Sequence, residues 1–110
     1  MGLRQEQLAD QIRDIIATLL SGGQISDPRL EGVGITAVKL TGDLQLASIY
    51  FRCYSERPQE EIQKGLKSAA GLMRHHLARG LGVRKIPGLR FFYDESIERG
   101  SKIEELLKKI

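Results

Sequence analysis

The stretch PQEEIQKGLKSAAGLMRHHLARGLGVRKIPGLRFF, from Pro58 to Phe92, decides the fold. Projected at about 100° per residue, Ile62, Leu66, Ala69, Ala70, Met73 and Leu77 fall on one side, which is the signature of a helix packed on a core. Lys64, Lys67, Gly71, Arg74, His75 and Ala78 fall on the other. The helix is expected to be interrupted at Ala69-Ala70-Gly71, because a glycine inside a helix costs about 1 kcal/mol relative to alanine and marks a bend or a close approach. Gly80 and Gly82 then end it, Val83 to Pro87 form a basic connector, and Leu89 to Tyr93 read as a strand with Phe91 inward.

Between Lys64 and Arg90 stand seven cations, Lys64, Lys67, Arg74, Arg79, Arg84, Lys85 and Arg90, and no acid. The net charge of +3 over the whole chain hides this concentration. A face that only confers solubility mixes signs and gains weak pairs from doing so. An unmixed basic face, carrying Gly71 and Ala78 where side chains are small or missing, suits close approach of a phosphate backbone. The candidate RNA contacts are therefore Lys64, Lys67, Arg74, His75, Arg79, Arg84, Lys85 and Arg90, with Arg4 and Arg13 as extensions. Few aromatic residues lie among them to stack bases, so their expected role is positioning rather than base reading.

Outward from this segment, Leu8, Ile12, Ile15, Ile16 and Leu19 recur at helical spacing between Gln5 and Leu20, and Gly22-Gly23 stops that helix. Asp27-Pro28-Arg29 is a loop, since proline biases the preceding residue away from helix. Val33 to Leu40 and Leu44 to Tyr54 read as an antiparallel pair joined by a tight turn at Thr41-Gly42-Asp43. In the second strand Ala47, Ile49, Phe51 and Cys53 face the core, while Ser48, Tyr50, Arg52 and Tyr54 face outward. Pro58, Glu60 and Glu61 suit a helix start, and Asp94 or Ser96 a cap on a last helix bearing Ile97, Ile103, Leu106, Leu107 and Ile110.

The result is an α+β chain, with a three-stranded sheet covered on one face by helices. Its 110 residues, 41% hydrophobic and 28% charged, fit a single globular domain spanning 1–110. One cysteine, Cys53, allows no internal disulfide and reads as a small core residue. The N-terminal charges Arg4, Glu6 and Asp10 do not suit a signal peptide, and the run Ile15 to Ser26 is too short to span a membrane, so a cytoplasmic protein is expected. No nucleophile with a base, zinc-type spacing or phosphate loop stands out. His75 and His76 point about 100° apart and do not chelate from one face. The expectation is a non-enzymatic monomer that takes no cofactor, metal, membrane or small-molecule substrate and meets RNA or another polyanion.

The whole chain resembles the bacterial ribosome-binding factor A family. The resemblance rests on Asp27-Pro28-Arg29, Thr41-Gly42-Asp43-Leu44 with Ala47 and Tyr50, Ala69-Ala70-Gly71-Leu72-Met73-Arg74, Pro87 to Asp94, and Ile103 to Leu107 in order. It implies a type II KH-like fold in which an Ala-x-Gly kink, here Ala69, Ala70 and Gly71, replaces the usual Gly-x-x-Gly loop. The Gly80-Leu81-Gly82 turn does not recreate that loop, so the usual single-strand clamp is not implied. It further implies an assembly factor that binds the free small ribosomal subunit and its rRNA during late maturation, assists processing near the rRNA 5′ end, and is associated with growth after cold shock. The extended C-terminal tail of some relatives is expected to be missing. Two other readings stay open on the residues alone. One is a general KH-like RNA-binding protein not tied to the ribosome; the other is a protein-interaction module using Tyr50, Arg52 and Tyr54.

Overall fold

A computed structural model describes residues 2–96 and 106–108. Helix α1 runs Gly2–Ser21, strands β1 and β2 run Val33–Leu40 and Leu46–Cys53, helix α2 runs Gln59–Gly80, and strand β3 runs Gly88–Tyr93. A single 3-10 turn at Pro28–Leu30 follows Asp27, whose carboxylate accepts from the Arg29 amide and guanidinium. Of the last helix expected from sequence only Ser96 and 106–108, which are helical, lie among the described residues; Ile97, Ile103 and Ile110 lie outside them.

The sheet order is β1-β2-β3. β1 and β2 are antiparallel, with Leu40 opposite Ala47 and Val38 opposite Ile49, and a bulge between Ile35 and Ala37. β2 and β3 are parallel, with Ile49 opposite Phe91 and Phe51 opposite Tyr93. A parallel neighbour needs a crossover, and α2 supplies it. Ala47, Ile49, Phe51 and Phe91 point into the layer between sheet and helices, where they meet Ile12, Ile16 and Leu19 of α1 and Ile62, Leu66, Ala69, Met73 and Leu77 of α2. The helices α1 and α2 thus cover one face of the sheet, as the apolar stripes require, and among the described residues no helix packs on the other.

Several details differ from the sequence reading. The loop between β1 and β2 takes in Thr41 to Gln45, and β2 starts two residues later than the apolar pattern suggests. Side-chain bonds hold the longer loop: the Thr41 hydroxyl donates to Asp43, Asp43 accepts from the Gln45 amide, and the Thr41 oxygen accepts from the Leu46 amide. Leu44 is carried into a left-handed conformation with φ 60°. Cys53 is half-buried at the end of the sheet, its Sγ 3.0 Å from the Ser55 hydroxyl, rather than enclosed in the core. Helical backbone continues through Ala69, Ala70 and Gly71, so the interruption expected there does not divide α2 into two helices.

Gly65 performs the close approach expected of Gly71. A Cβ at Gly65 would stand 3.0 Å from Leu30 Cδ2 and 3.2 Å from Arg29 Cβ, so the absent side chain lets the 3-10 turn rest on α2. A Cβ at Gly71 would meet nothing within 4 Å.

Candidate nucleic-acid interface

The core stripe of α2 fixes where its cations point. With Ile62, Gly65, Leu66, Ala69, Met73 and Leu77 buried, the remaining positions are turned outward, and Lys64, Lys67, Gly71, Arg74, His75 and Ala78 are all exposed. Among the described residues none of these cations is paired with a carboxylate. The described ion pairs, Arg13–Asp14, Arg29–Asp27 and Arg57–Glu61, lie elsewhere.

At the C-terminal end of α2 the chain turns through Leu81 and Gly82, the latter at φ +64°, into the connector 83–87. Arg74 reaches across and donates from Nη2 to the Ile86 carbonyl at 3.2 Å, which ties the connector back onto the helix. The Gly88 amide donates to the Gln45 carbonyl at 2.9 Å and ties the other end of the connector to the β1–β2 loop. Between these ties lies an open cleft of about 690 Å³ lined by Arg4, Arg74, Arg84, Lys85, Asp43, Gln45 and the apolar Leu44, Val83 and Ile86. Four cations from three separate segments converge there on a single acid.

That acid is committed to the fold. The Thr41 hydroxyl and the Gln45 amide both donate to the Asp43 carboxylate and hold its pKa below the usual carboxylate range. Asp43 therefore stays charged and acts as part of the loop wall, offsetting one of the four positive charges. The cleft suits a phosphate held by guanidinium and ammonium donors with aliphatic walls beside it.

The structure groups the candidate residues unevenly. Lys64, Lys67, Arg74 and His75 share the outward face of α2, and Arg74, Arg84 and Lys85 with Arg4 line the cleft that continues it. Arg79 is rotated toward the seam between the helices, beside Asp14, Ile15 and Thr18. Arg13 also lies away from the basic face and stands 3.8 Å from Asp14. Arg90 is exposed on β3, where alternation with the buried Phe91 puts it on the sheet face away from the helices. The His75 and His76 rings meet edge to face at 5.7 Å, with His75 on the basic side and His76 half-buried near Arg79.

Sequence reading misses one feature. Tyr50 and Phe92, from different strands, stand with ring centroids 5.6 Å apart on the open face of the sheet. Alternation alone places each outward, but only the parallel pairing of β2 with β3 makes them neighbours.

The outward face of α2, free of acids from Lys64 onward, runs into a cationic cleft, a charge distribution that suits contact with the phosphates of a polyanion. Comparison with known proteins narrows this. The family model described as ribosome-binding factor A matches residues 4–107, and the chain belongs to that family. A relative from Pelobacter propionicus bearing that name is 41% identical, over all of this chain and 90% of its own length. The crystal structure of ribosome-binding factor A from Thermus thermophilus superposes with a TM-score of 0.75 at 26% identity, covering 84% of this chain and 97% of the other. A homology model of the Thermus thermophilus factor, fitted into a cryo-EM map of a complex with the 30S subunit, is similar with a TM-score of 0.68 at 26% identity, over 83% of this chain and 96% of that one. The fold is the KH-like one of these structures, and the chain is a ribosome-binding factor by family.

Proposed function

We propose that this protein is a non-catalytic, cytoplasmic assembly factor that binds the free small ribosomal subunit and its rRNA during late maturation, assists processing at the rRNA 5′ end, and leaves before translation. A role in growth after cold shock goes with this reading, as does action as a monomer. The observation that carries it is the surface on which Lys64, Lys67, Arg74, Arg84, Lys85 and Arg4 form one acid-poor track from α2 into the cleft. Membership in the family and the likeness to a factor fitted on a 30S subunit supply the partner. Among the described residues no helix is long and apolar enough to cross a membrane.

The cations are assigned to phosphates, which fix position without reading sequence. The exposed backbone at Gly71, with no Cβ and no neighbour within 4 Å, lets an RNA strand lie against the helix. Arg74 has a second task in holding the connector, so the cleaner probe is the pair Arg84→Glu/Lys85→Glu. Co-sedimentation of wild type and this variant with free small subunits, large subunits and assembled ribosomes tests the reading. Wild type is expected with free small subunits only, and the folded variant is expected to lose them. Affinity should fall as salt rises, with a log–log slope of roughly 0.7–0.9 for each phosphate neutralised. Indifference of the wild type to all three particles, or a flat salt response, would overturn the proposal.

A further inference from the structure

The sheet face turned away from the helices is organised in rows that cross all three strands. Lys39 of β1, Ser48 of β2 and Arg90 of β3 are successive register partners and form one row. Ala37, Tyr50 and Phe92 form the next, with the small Ala37 leaving the two rings uncrowded on one side. Tyr50 and Phe92 lie 5.6 Å apart with planes tilted by 31°, and Lys39 Nζ stands 5.5 Å from the Tyr50 centroid. Phe92 is 42% exposed, a large apolar ring on an open surface. The acid nearest the aromatic row along β3, Asp94, lies on the side away from Lys39 and Arg90, and its carboxylate is taken by the Thr36 hydroxyl and the Ser96 amide.

The place of these rows matters as much as their content. Lys39, Ser48 and Arg90 sit one to two residues in from Leu40, Leu46 and Gly88, the strand ends that adjoin the β1–β2 loop and the connector. Gln45 of that loop and Lys85 of that connector line the basic cleft. The cation row therefore continues the cleft around the end of the sheet, and the aromatic row follows about 7 Å further on.

We propose that this face is a second RNA contact, on which unpaired bases of a single-stranded segment stack against Tyr50 and Phe92 while Lys39 and Arg90 hold the adjoining phosphates. The segment is continuous with the RNA held in the cleft, so the inference rests on the RNA-binding reading above. Aromatic rings take any base by its π-face, and long flexible cations beside them follow the backbone, which is the combination single strands require and duplexes do not. The continuity of positive charge with the cleft favours RNA over a protein partner.

The test is a titration of the full chain with a fluorescent single-stranded RNA decamer and with a duplex of equal length, by anisotropy. Tyr50→Leu/Phe92→Leu keeps apolar volume and removes the rings, and Tyr50→Phe/Phe92→Tyr keeps both rings. The leucine pair should bind the single strand at least about tenfold more weakly, while the aromatic exchange stays within about twofold. Lys39→Ala/Arg90→Ala should weaken binding and lower the salt slope by about 0.7 for each cation removed. Equal binding of the single strand by the wild type and a folded leucine variant would overturn the proposal. So would equal loss of duplex and single-strand binding in that variant, or retention on the subunit through these rings after ribonuclease treatment, which would mark a protein contact. Failure of the wild type to sediment with small subunits would remove the assembly reading and leave the decamer titration to decide the platform separately.

Discussion

Gly65 and Gly71 stand on the same helix and meet opposite surroundings. Gly65 faces the 3-10 turn, where a Cβ would press on Leu30 and Arg29, and Gly71 faces open space between Lys67 and Arg74. The contrast extends to the whole of α2. Its inner face is uniformly apolar and fixed by Ile62, Leu66, Met73 and Leu77, each at most 1% exposed, whereas its outer face carries cations that touch little of the fold. Packing constrains the first face far more than the second. The outer face is thus free to be shaped by a partner.

The largest break in this contrast comes from the inner face. Leu66→Ala empties a fully buried position between sheet and helix and is expected to cost about 2–5 kcal/mol of stability, read from urea unfolding. The fraction that remains folded should bind small subunits as the wild type does. Loss of binding by that folded fraction would show that the two faces are not independent.

The same substitution at the two glycines sharpens the point. Gly65→Leu forces the 3-10 turn away from α2 and should destabilise by about 1–3 kcal/mol. Gly71→Leu enters open space and replaces a poor helix former, so it should stabilise by about 1 kcal/mol. Subunit binding should respond the other way, weakening at Gly71 because the added side chain holds RNA off the helix. Thermal unfolding and co-sedimentation on the same pair of variants check both halves. If Gly71→Leu loses stability and binding together, the assignment of Gly71 to the interface fails.

The smallest expected effect lies at the edge of the sheet. Asp94 accepts from the Thr36 hydroxyl and from Ser96, and these bonds lower its pKa to about 2. A folded-state value below the unfolded one of 3.8 means that the stabilisation is present above about pH 4 and is lost as pH falls through about 2. Asp94→Asn should therefore be less stable than wild type at pH 7, with the difference shrinking toward pH 2. Urea midpoints at both pH values measure it. A difference that stays constant with pH would assign the effect to shape rather than charge.

Much of the fold is legible in the sequence because periodicity records which side of an element is buried. The bounds of β1, the inner stripe of α2 and the inward set Ala47, Ile49 and Phe51 all follow from spacing. The β1–β2 loop comes out too short from spacing because Leu44 looks like a strand residue. Its positive φ goes with Asp43 capping Gln45, a side-chain bond that hydropathy does not register. Gly71 looks like a helix break for a related reason. A glycine's effect depends on what stands opposite it, and opposite Gly71 there is only solvent.

The candidate interface divides in the same way. The run of cations without an acid from Lys64 to Arg90 is a property of the chain, and so is the helical projection that gathers Lys64, Lys67, Arg74 and His75. By itself the sequence determined the elements, the sign of the surface and the resemblance to its family, since all three depend on local spacing and composition. Only the tertiary structure decided that Arg4 joins Arg74, Arg84 and Lys85 in a cleft, that Arg79 and Arg90 do not, and that Tyr50 stands beside Phe92. These are contacts between segments far apart in the chain. They were fixed when α2 crossed over to lay β3 parallel to β2, in the register that buries Phe91 against the shared core.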